Sequence, residues 1–302
     1  VILLHIFIRQ VNMEHIKDIQ ISVAHKCIRC GRCIAVCPSD VFGKDNETGL
    51  IEVKQKQRCI SCGQCVAICP TSSIHHSYFQ QKDIHPYKIE DCPNSEQFLL
   101  LCKKRRSNRA FSSNPIPLDV LKKIIEAGYY APTAHNSQNV KFTLITSQTV
   151  LQQLVDFTIK KYKGIVERLT HPAIMRFIRL LKSNYISYIP MMQRVIQEYE
   201  NGNDLILRNA TAVILIHADE NDYFSSTNAN LAYQNASLMA ETLHISQFYM
   251  GFLCSAINLD KRRKFTKKLG IQDKIYAAMA LGIPKFEFSH YINKKNCEFD
   301  AL

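Results

Sequence analysis

Two cysteine runs carry the chemistry written most plainly in this chain. Cys27, Cys30, Cys33 and Cys37-Pro38 are followed, 32 residues on, by Cys59, Cys62, Cys65 and Cys69-Pro70. Each run is spaced C-x2-C-x2-C-x3-C-P, and thiolates so spaced hold 4Fe-4S clusters; in two-cluster modules the fourth cysteine of each run serves the other cluster. The spacing therefore assigns Cys27, Cys30, Cys33 and Cys69 to one cluster, and Cys59, Cys62, Cys65 and Cys37 to its mate. Gly31 and Gly63 let the backbone curl around each cube, and the proline after each fourth cysteine fixes φ where the chain turns away. Paired C-x2-C also suits a four-thiolate zinc site, and a disulfide framework would need an oxidising compartment. Eight cysteines in two identical, proline-closed runs weigh against both.

A second set of residues points to an anion. Arg105-Arg106-Ser107-Asn108-Arg109-Ala110-Phe111 places three guanidiniums and a hydroxyl within five residues, and guanidiniums make bidentate, charge-assisted bonds to phosphate. A solvated basic helix end would have the same composition. Further on, Ala131-Pro132-Thr133-Ala134-His135-Asn136-Ser137-Gln138 sets small residues and an amide between a helical pattern and a strand, where a flat ring could approach the backbone. His135 and His244 invite acid–base roles, but a lone histidine in a loop or at a helix end is more often solvated or structural. Cys92, Cys102, Cys254 and Cys297 lack ligand spacing and read as ordinary thiols. No G-x-G-x-x-G follows a strand, so a dedicated nicotinamide domain is not expected.

The elements that position these residues divide into two domains. The 32-residue offset is an internal duplication making one small domain over 21–79, with strands at Ile51 to Val53 and Ile74 to His76 and helical turns at Ile34 to Val36 and Val66 to Ile68. So small a domain has little apolar core, and its clusters must hold it together. Residues 1–20 form an N-terminal extension, apolar from Val1 to Ile8 but too short to span a membrane, with Met13 an alternative start. Residues 80–97, polar and containing Pro86 and Pro93, form a linker. The second domain, 98–302, shows helices at Phe98 to Arg105, Leu118 to Gly128 and Ala229 to Leu243, and strands at Lys141 to Thr146, Ala212 to His217 and Ile275 to Leu281. Thr149 to Asn201 is helical but interrupted at Gly164, Pro172 and Pro190, and it is rich in aromatics, including Phe177, Tyr185 and Tyr188. Helices packed on both faces of a mixed, mainly antiparallel sheet make this an α+β fold.

The formal net charge is +12 over 302 residues, and residues 1–99 hold 11 Lys/Arg against 10 Asp/Glu, so the second domain carries nearly all of it. With no interleaved aromatic run and no nucleic-acid module, this balance excludes nucleic acid and favours an anionic cofactor and acidic redox partners. Cluster thiolates need a reducing interior, so the expected location is cytoplasmic, with no membrane association.

The first domain resembles bacterial two-cluster ferredoxins. The second resembles the nitroreductase-like flavoproteins, whose R-R-S-x-R-x-F, A-P-S/T-x-x-N-x-Q, M/I-G-F/G and A-L-G-x-P segments bind FMN. Arg105 to Phe111, Ala131 to Gln138, Met250-Gly251-Phe252 and Ala280-Leu281-Gly282-Ile283-Pro284 match in the family's order. The resemblance implies that Arg105, Arg106, Ser107 and Arg109 hold the FMN phosphate and ribityl chain. It implies that Pro132, Thr133 and Ala134 line the isoalloxazine, that Asn136 bonds its polar edge, and that the Met250-Gly251 backbone lies near N5. Where relatives carry E-R-K-P, this chain has Asn293-Lys294-Lys295-Asn296, and Lys294 keeps the charge without the fork. Thr211 and Asn139 replace frequent prolines, and His244 a usual glycine.

Together these imply an iron–sulfur flavoprotein oxidoreductase with two 4Fe-4S clusters and FMN, fed by a ferredoxin or NAD(P)H and reducing a small organic acceptor such as a nitroaromatic or quinone. The alternative is a non-catalytic electron carrier or redox sensor. The resemblance also implies a homodimer, with Tyr185 and Tyr188 offering flat walls over the flavin or ordinary core packing.

Overall fold

The computed structural model describes residues 19–173 and 187–301 and separates the chain into two compact units. Phe177 and Tyr185, and all of the N-terminal extension before Ile19, lie outside the described residues. Unit 1 takes in residues up to Pro93 together with Thr133–Gln138. Its elements are β1 (Ile21–Val23), α1 (Arg32–Ala35), β2 (Phe42–Lys44), β3 (Ile51–Val53), α2 (Gln64–Ala67) and β4 (Ile74–His76). β1 pairs antiparallel with β4, Ile21 opposite His76, and β2 with β3, Phe42 opposite Val53. The order extends before β1: Ile19 is buried, and Gln20 exchanges hydrogen bonds with Ser77, so the last two residues of the expected extension belong to this unit.

The duplication read from the cysteines recurs in the backbone. Left-handed residues come in pairs 32 apart, Arg29 with Ser61, Gly31 with Gly63, and Asp40 with Ser72. Gly31 and Gly63, both at φ 74°, stand directly before α1 and α2, where a side chain would be strained. The core is small: Cys33, Val41, Phe42, Ile51, Cys59, Cys65 and Ile74.

Unit 2 spans Asn94–Pro132 and the chain from Asn139 onward. It opens with α3 (Ser95–Lys104), which starts three residues earlier than its apolar pattern suggests because Asn94 and Gln97 form a reciprocal capping box. There follow α4 (Leu118–Tyr129), β5 (Lys141–Ile145), α5 (Gln148–Thr170), α6 (Ile189–Glu200), β6 (Ala212–Ala218), α7 (Ser225–Thr242), β7 (Ser246–Tyr249), α8 (Gly251–Leu259), α9 (Lys264–Lys268) and β8 (Lys274–Gly282). The sheet runs β5-β6-β8-β7, every neighbour antiparallel. Gly164 does not interrupt α5, and Pro190 sits in the first turn of α6, where its missing N–H costs nothing.

Period-two alternation along β6 divides the core. Val213 and Leu215 pack with Leu154, Ile159 and Tyr162 of α5 and Leu253 of α8. Ala212, Ile214 and Ile216 face Leu121 and Ile124 of α4 and the alanine stripe Ala229, Ala232, Ala236 and Ala240 of α7. Each fully buried Ile or Leu contributes roughly 1.5–3 kcal/mol, which makes this doubly covered sheet the rigid part of the unit. Thr211 donates its N–H to Leu281 at 3.1 Å, a bond the proline frequent there could not make. Asn139 clamps the start of β5 to Asp222 and Ser225. Among the described residues no helix is long and apolar enough to cross a membrane.

Candidate functional site

In unit 1, Cys37, Cys59, Cys62 and Cys65 line one cavity, closed by Phe42, Ile60, Gly63 and His76. Cys37 thus joins the three leading cysteines of the other run, as a crossed ligand set requires. Burial pushes the Cys65 thiol up to about 11, with Cys59 and Cys62 adding repulsion, and burial also raises Cys59. At the other set, burial raises Cys33, with Cys27 and Cys30 adding repulsion. For Cys69 burial acts upward, but the Ser73 N–H and the Thr71 hydroxyl outweigh it and hold the thiol below its usual range. Backbone N–H groups of Arg29, Ser61, Val41 and Ser73 donate to the sulfurs of Cys27, Cys59, Cys37 and Cys69 at 3.4, 3.4, 3.4 and 3.1 Å.

Among the described residues no three His, Cys, Asp or Glu side chains converge as on a single ion. Four thiols around a cavity fit a cube whose irons are spread over its corners. Donors aimed at sulfur meet the need of a polynuclear site to stabilise thiolate charge. Thiols raised by burial stay protonated until positive iron opposes them, so loading such a site releases protons.

His76, which the sequence does not mark, closes the same cavity. It is buried, its Nε2 lies 3.3 Å from Cys59 Sγ, and its Nδ1 accepts the Tyr78 N–H at 3.2 Å. Burial lowers its pKa and keeps it neutral. Asn136 is also held in unit 1, where its Nδ2 donates to the carbonyls of Ile60 and Ser61 at 3.1 and 2.9 Å. Its amide group is engaged with the second cysteine loop, and the flavin role implied by resemblance does not follow from this geometry. Thr133 Oγ1 accepts the Gln138 N–H at 3.0 Å, which folds the segment containing Ala134 into a tight turn.

In unit 2 the Arg105–Phe111 segment follows α3 and is pinned along the ends of β7 and β8. Ser107 bridges to Gln247, and Phe111 to Pro284. The buried Asn108 donates to Ser246 Oγ at 2.9 Å and to the Phe286 carbonyl at 3.3 Å. Arg109 Nη1 donates to the Ser107 carbonyl at 3.0 Å, and its guanidinium lies 5.1 Å over the Phe248 ring. Arg105 and Arg106 are half-buried, while Ser107 and Arg109 are exposed. Among the described residues no carboxylate is within ion-pair distance of Arg105, Arg106 or Arg109. Three unpaired guanidiniums on a segment fixed by its neighbours fit a phosphate better than a solvated helix end.

Behind them runs a network that the sequence hides. Tyr233 Oη donates to Gln247 Oε1 and Gln247 Nε2 to Ser237 Oγ, both at 2.7 Å. Burial drives the Tyr233 phenol well above its usual range, with the charges of Arg105 and Arg109 opposing. β7 therefore carries Gln247, the partner of Ser107, near one end, and at the other it leads into Met250. Met250 caps α8 with its N–H on the Ala278 carbonyl at 2.9 Å. Gly251 is exposed, and a Cβ added there would meet no atom within 4 Å, so its backbone presents an open face. Pro132 is exposed, and Lys294 lies in the exposed tail.

The remaining candidates are structural. His244 makes an exposed pairing with Glu287 at 3.5 Å, worth little in solvent. His217 is lodged between Thr143 and Asp273. Cys254 is half-buried against the core, and desolvation pushes its thiol up to about 11, so it is no nucleophile. Tyr188 is exposed at the start of α6 and is not a core residue.

The sequence profile of the Nitroreductase family matches residues 102–283, and that of a 4Fe-4S dicluster domain matches residues 26–74. No curated protein matches the chain. Among solved structures, an FMN-bound nitroreductase from Bacteroides fragilis is similar at 20% identity and TM-score 0.53, covering 70% of this chain and 100% of its own. An FMN-bound nitroreductase from Desulfitobacterium hafniense is similar at 17% identity and TM-score 0.51, covering 67% and 97%. A BluB-like flavoprotein from Clostridium difficile is similar at 18% identity and TM-score 0.50, covering 68% and 99%. At these identities the likeness is one of fold.

Proposed function

The chain belongs to the nitroreductase family and carries a 4Fe-4S dicluster domain ahead of the family's fold, and from that premise we propose an FMN-dependent oxidoreductase that draws electrons through two 4Fe-4S clusters to reduce a small organic acceptor. When bound, the clusters would supply one-electron transfer and FMN the conversion to two-electron chemistry. The observation that carries this reading is the Arg105–Arg109 segment, with its unpaired guanidiniums, fixed to the strand that leads into Met250.

Arg105, Arg106, Ser107 and Arg109 bind the phosphate end. Tyr233 and Gln247 fix the segment from beneath, so the guanidiniums need little reordering on binding. The open backbone at Met250 and Gly251 takes the ring, with Pro132 as its further lining and Lys294 as an accessory cation. Cys27, Cys30, Cys33 and Cys69 hold one cluster, and Cys37, Cys59, Cys62 and Cys65 the other. No side chain is assigned as acid or base.

The donor is a ferredoxin-like one-electron carrier or NAD(P)H, and the acceptor a nitroaromatic or quinone. The working form is a cytoplasmic homodimer in which Tyr188, exposed in the single chain, lies in the acceptor wall. The test is anaerobic reduction of the purified protein followed by addition of candidate acceptors, with flavin absorbance as the readout. Reoxidation by an organic acceptor, slowed when Cys62→Ser disables the second cluster, is expected. A protein that binds no flavin, or whose flavin turns over identically with the clusters disabled, would overturn the reading.

A further inference from the structure

The two halves of unit 1 are matched at their backbone donors but not at their side chains. Cys27 and Cys59 each accept one N–H at 3.4 Å, from Arg29 and Ser61, and Cys37 and Cys69 each accept one from Val41 and Ser73. Around the first run, however, stand the exposed cations Arg29 and Arg32, and Cys30 is itself exposed. The same positions in the second run are Ser61 and Gln64; Cys33 and Cys65 are buried alike, but Cys59 is buried where Cys27 is half-buried, and Cys62 is half-buried where Cys30 is exposed. Nearby positive charge and solvent both favour the reduced, more negative cluster, so the second site starts at a disadvantage.

One side chain offsets it. His76 stands 3.3 Å from Cys59 Sγ through Nε2. Its counterpart 32 residues earlier is Lys44, which is exposed. The imidazole is fixed on three sides: its backbone pairs with Ile21, the Phe79 ring lies 4.9 Å from its own, and the Tyr78 N–H donates to Nδ1 at 3.2 Å. Because Nδ1 accepts, a neutral imidazole carries its proton on Nε2, the nitrogen facing sulfur. At the first site the nearest side-chain donor is the Thr71 hydroxyl, 3.7 Å from Cys69 Sγ and held at 2.7 Å by Ser73 Oγ.

We propose that His76 is a positioning residue for the second cluster, donating Nε2–H to Cys59 Sγ and thereby raising that cluster's reduction potential towards that of its mate. The proposal rests on the reading of unit 1 as a two-cluster domain. One-electron reduction by a low-potential donor adds one negative charge, shared by the cluster and its cysteine sulfurs, and moves no proton. An N–H aimed at a ligand sulfur stabilises that added charge more than the oxidised state.

The test is an EPR-monitored redox titration of the full-length protein with dithionite, the two signals assigned through Cys30→Ser and Cys62→Ser. His76→Leu should shift the midpoint of the Cys62-dependent signal to lower potential and leave the other in place, and His76→Gln, whose amide can still donate, should restore most of the shift. Unmoved midpoints, or equal shifts in both, would overturn the proposal. Should His76→Leu lose iron, pulsed EPR of the otherwise native protein with 15N-histidine decides. A histidine nitrogen coupled to one cluster, and lost in His76→Gln, is expected, and no coupling would overturn the assignment. Iron and sulfide analysis separates this from the underlying reading, since a protein without two clusters fails that reading before His76 is in question.

Discussion

Gly282, at the end of β8, tests whether the arginine segment is held as rigidly as its contacts indicate. A Cβ built at this position would lie 2.5 Å from Phe111 Cγ, 2.6 Å from Cδ1 and 2.8 Å from Cβ. Carbon pairs prefer about 3.5–4.0 Å, so the overlap approaches a full ångström. The obstacle is the root of a ring, not the tip of a flexible chain. Phe111 is 2% exposed and stacks on Phe248 at 5.9 Å. Its backbone is fastened on both sides, Ser112 N–H to Ile283 and the Ala110 carbonyl to Lys285, each at 2.8 Å. Overpacking of this kind costs about 1–3 kcal/mol, and about 2–4 °C of melting temperature is lost per kcal/mol in a unit of this size. Gly282→Ala should therefore lower the melting temperature of unit 2 by several degrees in calorimetry and weaken FMN binding, because Arg105 to Arg109 move with Phe111. Phe111→Leu should relieve part of the clash, so the double variant should melt higher than the two single losses predict, by a coupling of about 1 kcal/mol. A Gly282→Ala protein that melts and binds FMN like the parent would refute the reasoning, as would strict additivity in the double variant.

Anaerobic analysis should find about eight irons and eight sulfides per chain for two 4Fe-4S clusters, and Cys69→Ser should damage the cluster served by Cys27, not the one served by Cys59; loss of the latter alone would reverse the ligand assignment. Arg105→Ala should weaken FMN binding on the order of 10- to 100-fold, the worth of one charge-assisted hydrogen bond, with iron content unchanged; fluorescence titration measures it, and an unaltered affinity removes this arginine from the site. The folded-state pKa of Cys254, about 11, lies above its unfolded value of 9.0, so its contribution to stability is complete below pH 9 and is lost as pH rises towards 11. Urea melts at pH 8 and pH 10.5 should show a smaller alkaline loss in Cys254→Ala than in the parent, and equal losses would contradict the assignment. Tyr188→Ala should change the acceptor profile more than the FMN affinity, and an unchanged profile would take that tyrosine out of the pocket wall.

What could be read from the sequence was whatever is encoded locally. The cysteine runs declare themselves because cluster ligation needs fixed spacings within a few residues, and β6 because a strand covered on both faces is apolar throughout. The three-residue strands β1 and β2 are too short to show a period, and they exist through pairing with β4 and β3. β7 escapes for another reason. Its four residues, Ser246 to Tyr249, bury a glutamine beside a phenylalanine, and that glutamine is explained only by Ser237 and Tyr233 across α7. Gly164 looked like a break, yet it is exposed on a 23-residue helix whose packed face runs from Leu151 to Tyr162, and one solvent-facing glycine costs only about 1 kcal/mol. His76 gives no signal, since Tyr78 and Phe79 are merely its neighbours along the chain and Cys59, 17 residues away, meets it only in the folded unit.

The two units also differ in what their cores are made of, and this bears on how they fold. In unit 2 the buried side chains on both faces of the sheet are aliphatic and aromatic, and they pack on one another. In unit 1, three of the seven residues in the core cluster are cysteines of the ligand sets, and three more, Cys27, Cys37 and Cys69, pack against it. Cys37, Cys59 and Cys65 line, with Cys62, the space a cluster would fill, so the apolar residues there form a shell around ligand atoms. Burial raises the thiols of Cys33, Cys59 and Cys65, which opposes the thiolate form until iron compensates it. For this unit, folding and cluster loading would be one linked equilibrium, whereas unit 2 closes its core with its own side chains and leaves the Arg105–Arg109 segment at the edge of its sheet. Loss of iron should therefore unravel unit 1 while leaving the sheet of unit 2 and the Arg105–Arg109 segment in place.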